Sequence, residues 1–355
     1  MFELFEKIAE GIGYKIANDF KNKVIEFIKQ TKKEAQNKGD DSQVATSGDC
    51  SQVATSGKYS QVATSGYSSK VATSGEYSQV ATSGDCSQVA TSGKYSKVAT
   101  SGDCSQVATS GKYSKVATSG DSSKVATSGE YSQVATSGDY SKVEITGKNS
   151  VGFICGLDSI IKAKKGTWIS LCEYAKNDDG EYVPILAKSA QIGNKEYKDN
   201  RNRTLKETEF YTLHNKKFFA VDFSDEIKTM IVSEKIRDGI TIIKGIDFDE
   251  YEEVYIAKEG DLSAHGHTLR EAVDDLTFKK LKDINVDDIV IEIKKTGKVT
   301  RSQYRAITGA CSFGTNQFCK QHGIEDLEEI DIEELRKILV NDYGAEKFWN
   351  LIDKE

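Results

Sequence analysis

Between residues 40 and 138 the chain repeats one nine-residue unit, x-x-Ser-(Gln or Lys)-Val-Ala-Thr-Ser-Gly, eleven times without insertion or deletion. A unit this small cannot bury a core of its own, so it must stack on copies whose like residues fall in register, which is the rule for solenoids. Strand side chains alternate between faces. The variable, often charged fourth position, Gln52 for example, points to solvent, which turns Val53 inward, Ala54 outward and Thr55 inward. Gly57 closes the unit at a corner that calls for positive φ or close backbone approach. With Thr inside, a Thr ladder facing ice or mineral is excluded.

A second period shows how many units make one coil. The second position reads Tyr59, Tyr77, Tyr95, Tyr113 and Tyr131 in alternate units and Cys50, Ser68, Cys86, Cys104, Ser122 and Tyr140 in the others. The first position splits likewise into Asp49, Asp85, Asp103, Asp121 and Asp139 against Lys58, Glu76, Lys94, Lys112 and Glu130. Alternation predicts a flattened, two-sided parallel coil of eighteen residues; three six-residue faces, with the same total, are the alternative. Six such coils at about 4.8 Å each make a rod about 30 Å long. The expected fold class is mainly β: a parallel β-solenoid with an N-terminal amphipathic helix and a C-terminal α+β region.

The two edges carry candidate binding surfaces. The tyrosines at 59, 77, 95, 113 and 131 form either a self-stacking column or a platform for a ligand. The column of Asp85, Asp103, Asp121 and Asp139 suggests calcium binding or nucleic-acid mimicry, but the turn is Thr-Ser-Gly-Asp rather than Gly-Gly-x-Gly-x-Asp. Residues 40–147 hold ten acidic and eight basic residues, too small an excess for a polyanion.

The 355 residues have room for two or three domains. Seven cysteines without metal-ligand spacing fit a reducing compartment, with Cys86 and Cys104 on adjacent coils as semi-buried thiols. Residues 1–38 mix apolar and charged positions, unlike a signal peptide, and no apolar run is long enough to span a membrane. A soluble, cytoplasmic protein is expected. The net charge of −7 argues against direct nucleic-acid binding. Residues 323–355 contain eleven acidic and four basic residues, a difference of −7 that equals the surplus of the whole chain. Glu328, Glu329 and Glu333 therefore mark either a solvated helical face or a surface for a basic partner.

Domain limits follow from pattern changes. Residues 1–38, with apolar positions three and four apart, form an amphipathic helix that caps the first coil or bundles with copies of itself. The solenoid covers 39–156, its last units trading Ala and Thr for larger apolar residues. A small β module covers 157–223, with a turn at Asn177-Asp-Asp-Gly180. A β-β-α module covers 224–290, with strands at 255–260 and 262–265 and a helix opened by the capping box Thr268-Leu-Arg-Glu271. A helical domain covers 291–355, its core drawn from Tyr304, Ile307, Phe313, Phe318, Leu335, Ile338, Leu339, Phe348 and Trp349. His265 and His267, two apart, are weak candidates for a metal pair, with His214 or His322 as third ligand. No metal or cofactor is otherwise indicated, and Gly-x-x-x-x-Gly-Lys, His-Glu-x-x-His and Gly-x-Ser-x-Gly do not occur.

The strand, Gly, Thr-x-x-Glu-Ala and helix pattern around residues 255–282 resembles HicB-type antitoxin modules, which implies local shape only. The string Gln-Tyr-Arg-Ala-Ile-Thr-Gly-Ala-Cys at 303–311, with Gly314, Phe318 and Tyr343-Gly-x-x-Lys-Phe348, resembles the C-terminal domain of proteins encoded by phages and prophages of Gram-positive bacteria. In that group a similar domain follows tandem Ser-x-Ala-Ala-Thr-Ser-Gly repeats; here Val replaces the first Ala. The resemblance implies a phage setting and no catalytic residue. The expected function is a non-enzymatic phage protein of the host cytoplasm, a solenoid that binds and inhibits a host component such as an antiviral defence protein, in the manner of an anti-CRISPR. It is expected to self-associate through the solenoid face or the N-terminal helix. The alternatives are a virion fibre or spike and a metal- or small-ligand-binding protein built on His265 and His267.

Overall fold

The computed structural model describes residues 36–37, 39–224, 227–248, 251–281, 285–310, 312–340, 342 and 344–354, with the backbone alone at 36–37 and 312–314. The expected N-terminal helix lies outside the described residues, apart from Gln36–Asn37, a short strand paired in parallel with Ala54 and Thr55. The chain divides into two compact units, one ending at Val221 and one beginning at Asp222. Among the described residues no helix is long and apolar enough to cross a membrane.

Fourteen four-residue strands, from Gln43–Thr46 to Ile160–Ala163, alternate between two parallel sheets. Partners lie eighteen residues apart and like meets like, as in Val53 with Val71 and Val62 with Val80. The coil is therefore two-sided. Seven strands per face make seven coils, one more than the six expected, because Lys142–Ile145, Val151–Ile154 and Ile160–Ala163 keep the same path after the repeat decays. Val and Thr fill the interior on both faces, as side-chain parity requires. At the last coils Ile145, Ile154 and Ile161 thicken this core, and two antiparallel hairpins complete the unit. Trp168–Lys176 with Tyr182–Gln191 extends one sheet; Phe210–His214 with Lys217–Asp222 extends the other. Pro184, the only proline in the chain, stands on the outer strand Tyr182–Gln191 beside the irregularity at Glu173/Tyr174, the setting in which a sheet tolerates a residue without an N–H.

The corner works differently from a glycine turn with positive φ. The left-handed residue is the second of each unit, Cys50 at φ 56°, Tyr59 at 58° and Tyr95 at 59°. Glycine is required for closeness: a Cβ on Gly93 would fall 1.8 Å from the carbonyl oxygen of Gly75 in the coil before it. The buried third-position serine braces the turn, Ser60 Oγ donating to the Gly57 carbonyl at 2.7 Å.

Inside, Thr118 donates to Thr136 at 3.0 Å and Thr109 to Thr127 at 3.3 Å. The hydroxyls from Thr46 to Thr100 are buried without a hydrogen-bond partner. Glu144 stands where an outward Ala would be, 2.8 Å from Lys162 Nζ; burial raises its carboxyl pKa despite that lysine.

The second unit begins with a four-stranded antiparallel meander: Thr229–Arg237, Ile240–Asp247, Glu253–Glu259 and Leu262–Gly266. Helix α1 (Leu269–Leu281) packs on it through Ala272 and Leu276 against Ala257 and Ala264. Its capping box is formed, with Glu271 N–H donating to Thr268 Oγ1 at 3.2 Å and Thr268 N–H to Glu271 Oε2 at 3.3 Å. Five helices follow: α2 (Val286–Thr296), α3 (Arg301–Thr308), α4 (Ser312–Gln321), α5 (Ile332–Ile338) and α6 (Ala345–Ile352). They surround Ile289, Ile293, Ile307, Leu335, Leu339 and Phe348, with Tyr304, Phe318, Ile338 and Trp349 packed against this core. Helix α2 crosses the expected limit at 290/291, so the β-β-α and helical modules belong to one unit.

Two substitutions test the coil. Gly93→Ala is expected to abolish the cooperative thermal transition, because backbone must move in two coils at once. Thr91→Val keeps the shape and removes a buried hydroxyl that bonds to nothing, and is expected to leave Tm unchanged or raise it. Differential scanning calorimetry reads both.

A candidate binding cleft in the second unit

Along the rod the repeated side chains engage one another. Tyr59, Tyr77, Tyr95, Tyr113 and Tyr131 stack with centroids 4.8–5.1 Å apart and planes within 13°, and each stays 41–52% exposed. Lys58 pairs with Glu76 at 3.3 Å and Lys112 with Glu130 at 2.8 Å beside them. The Asp column is a chain of caps in which each carboxylate accepts a backbone N–H from the next coil. Asp85 accepts from Asp103 at 3.0 Å, Asp103 from Asp121 and Asp121 from Asp139 at 2.8 Å, and Asp139 from Leu157 at 2.7 Å.

One face of the rod remains open. Its outward alanines, Ala45 to Ala135, are flanked by two grooves of about 840 and 1170 Å³ and end at the exposed Val151, Phe153 and Trp168. On the opposite face Ala90 and Ala108 are only 8% and 3% exposed, so that face is not an open surface.

The described cysteines are free thiols; Cys86 is half-buried as expected, whereas Cys104 is exposed. Burial, more than any neighbour, raises the pKa of Cys319 and pushes Cys172 up to about 11. These thiols are kept protonated, a poor state for a nucleophile.

His265 lies within the strand Leu262–Gly266, 3.4 Å from Thr229 Oγ1 through Nε2. His267 falls beyond the strand, where its N–H donates to Glu271 at 2.9 Å. His214 belongs to the first unit, in the strand Phe210–His214, and His322 follows α4. Among the described residues no group of three His, Cys, Asp or Glu side chains is placed to hold a metal ion.

A cleft of about 590 Å³ opens in the helical part of the second unit. Thr300 opens α3 with a reciprocal capping box, Gln303 N–H to Thr300 Oγ1 at 3.2 Å and Thr300 N–H to Gln303 Oε1 at 2.9 Å. Gly309, at φ 78°, ends it. The ladder of Lys298–Thr300 with Glu329–Asp331 sets Val299 opposite Ile330 and draws the segment 324–330 along the cleft. Arg270 and Arg301 hold that segment by donating to the Glu325 carbonyl, and Arg270 also reaches the Asp326 carbonyl at 2.6 Å.

Tyr304, Phe318, Ile324, Leu335 and Leu339 give the cleft an apolar lining, with the thiol of Cys319 among them. Glu328, Glu329 and Asp342 also line it, all exposed. Of the acidic residues singled out in the sequence, Glu328 and Glu329 meet here. Glu333, in the first turn of α5, is not among the lining residues; its N–H donates to Asp331, which caps that helix. The acidic surplus was visible in the sequence, whereas the lining comes from four separated segments with no common motif. No family model, curated protein or solved structure matches the chain.

Both ladders yield a prediction, read by thermal or urea unfolding. Tyr95→Ala removes two stacked contacts and is expected to lose about 1–3 kcal/mol. Tyr95→Gly also relieves the left-handed backbone and is expected to recover about 1 kcal/mol of that loss. Asp103→Asn keeps an oxygen acceptor for the Asp121 N–H and is expected to be tolerated, while Asp103→Ala loses about 1 kcal/mol.

Proposed function

We propose that the protein is a non-enzymatic binding scaffold of phage origin that acts in the host cytoplasm, its solenoid serving as a stiff rod and its C-terminal unit engaging and blocking a host component, such as an antiviral defence protein. The carrying observation is the contrast between the two parts. In the rod the repeated side chains are already engaged with one another, the Asp carboxylates on backbone N–H groups, the tyrosines in a stack and the serines on glycine carbonyls. In the second unit an apolar cleft with charged residues in its lining stands open. The phage setting rests on the resemblance of the repeat and of the 303–311 string.

Affinity purification of the tagged full chain from a bacterial host with intact defence systems, followed by mass spectrometry, is expected to return a host protein in stoichiometric amount. Recovery of the chain alone, or of phage particle proteins, would overturn the inhibitor reading and favour a structural one.

Self-association is a second feature of this proposal, favoured by the exposed Val151, Phe153 and Trp168 at the end of the flat alanine column. Light scattering at micromolar concentration is expected to show an oligomer that Phe153→Ser weakens. A monomer under those conditions removes this feature and leaves the scaffold reading in place.

A further inference from the structure

We propose that the cleft lined by α3, α4 and the segment 324–330 docks a basic amphipathic segment of the target, with apolar side chains on its floor and lysines or arginines against its acidic residues. The inference rests on reading the protein as a binding scaffold and adds the chemistry of the partner.

Charge complementarity selects this occupant. Among the described lining residues Arg301 is the sole cation, and it is turned to the protein: it donates to the carbonyls of Glu325 and Leu327 and lies 3.6 Å from Asp274. Lys298 answers Glu329 from the neighbouring strand. Glu328 and Asp342 have no cationic partner among the described residues. Arg336, elsewhere on this segment, is taken by Asp353 at 2.7 Å. Of the acidic residues in 323–355, Glu328, Glu329 and Asp342 line the cleft, and of these three only Glu329 is answered by a lysine.

The apolar side sets the second requirement. Leu327 lines the cleft yet is 44% exposed, and Tyr304 and Phe318 are only partly buried. A purely ionic partner would leave this surface wet. An acidic or neutral apolar partner would bring nothing to Glu328 and Asp342. A segment with one apolar and one basic face satisfies both, and helix-in-groove docking is its usual form.

The test uses the full chain and a fluorescent amphipathic Leu/Lys helical peptide, with binding read by anisotropy at low and physiological salt. The expected result is saturable binding that weakens as salt rises and is absent for a Leu/Glu peptide and for a Lys/Ser peptide of equal charge. Glu328→Lys with Asp342→Lys is expected to weaken binding by about tenfold or more. Leu327→Gln, at an exposed position, is expected to weaken it without disturbing the fold seen by circular dichroism. The same charge reversal at Asp178 and Asp179, in the exposed hairpin turn of the first unit, is expected to change affinity far less. Equal binding of the control peptides, insensitivity to Leu327→Gln, or equal effects of the two charge reversals would overturn the docking proposal. A host target that binds the wild type and the cleft variants alike would overturn it too while leaving the scaffold function standing; absence of any target would remove the function itself.

Discussion

Everything in the first unit depends on how closely one coil lies on the next. At the corner the carbonyl oxygen of one glycine occupies the place where the Cβ of the next would be, so no other residue fits without moving backbone. That contact fixes the register at eighteen residues, and register converts an ordinary repeat into ladders. Once like residues are forced to neighbour one another along the axis, each column needs its own way to tolerate self-contact. Valine packs, serine bonds to a glycine carbonyl, tyrosine stacks, and aspartate takes a backbone N–H from the following coil. The left-handed second position costs about 1 kcal/mol for a residue with a Cβ. Stacking offsets this on the tyrosine edge, whereas at Asn149 and Asp158 the side chains themselves suit that backbone.

The same logic explains which parts of the fold were legible in the sequence. Parity along Gln-Val-Ala-Thr and the alternation of Tyr with Cys and Ser contain the two faces, the inside and the two-sided coil, because a perfect repeat prints its geometry many times. At the corner the sequence left two reasons for glycine open and the structure selects close approach, since sequence does not distinguish a residue that needs positive φ from one that needs an absent Cβ. The seventh coil was hidden for a related reason: Val151-Gly-Phe-Ile keeps the strand path while Gly152 takes an inward position, filled instead by the δ-methyls of Ile145 and Ile161. The first two meander strands went unread. Thr229–Arg237 carries a bulge between Ile231 and Ser233, and its last four residues are exposed, so the period of two is lost midway.

The cleft was legible only as charge. Glu328 and Glu329 were visible as part of an acidic run, but what gives them a role is the apolar surface beside them, contributed by residues from Val299 to Leu339 that meet only after folding. Glu333 illustrates the limit: it sits in the same run, yet in the first turn of α5 it is exposed away from the cleft lining. Composition locates a surplus of charge; backbone hydrogen bonds decide which of those charges share a surface with apolar side chains.

The distribution of charge also bears on how such a chain divides its work. Outside residues 323–355 the acidic and basic residues balance, because the segment's −7 equals the total. In a ladder any excess of one sign would be repeated at every coil, and a column of unanswered like charges would push the coils apart. The mixing of Lys with Glu beside the tyrosines, and the N–H groups answering the Asp column, are therefore requirements of the rod. The C-terminal unit is under no such translational constraint and can keep unpaired carboxylates next to apolar surface. A repeat is thus poorly suited to carry a new charge pattern, since one altered column alters every coil, whereas a single cleft can change its charge and lining residue by residue.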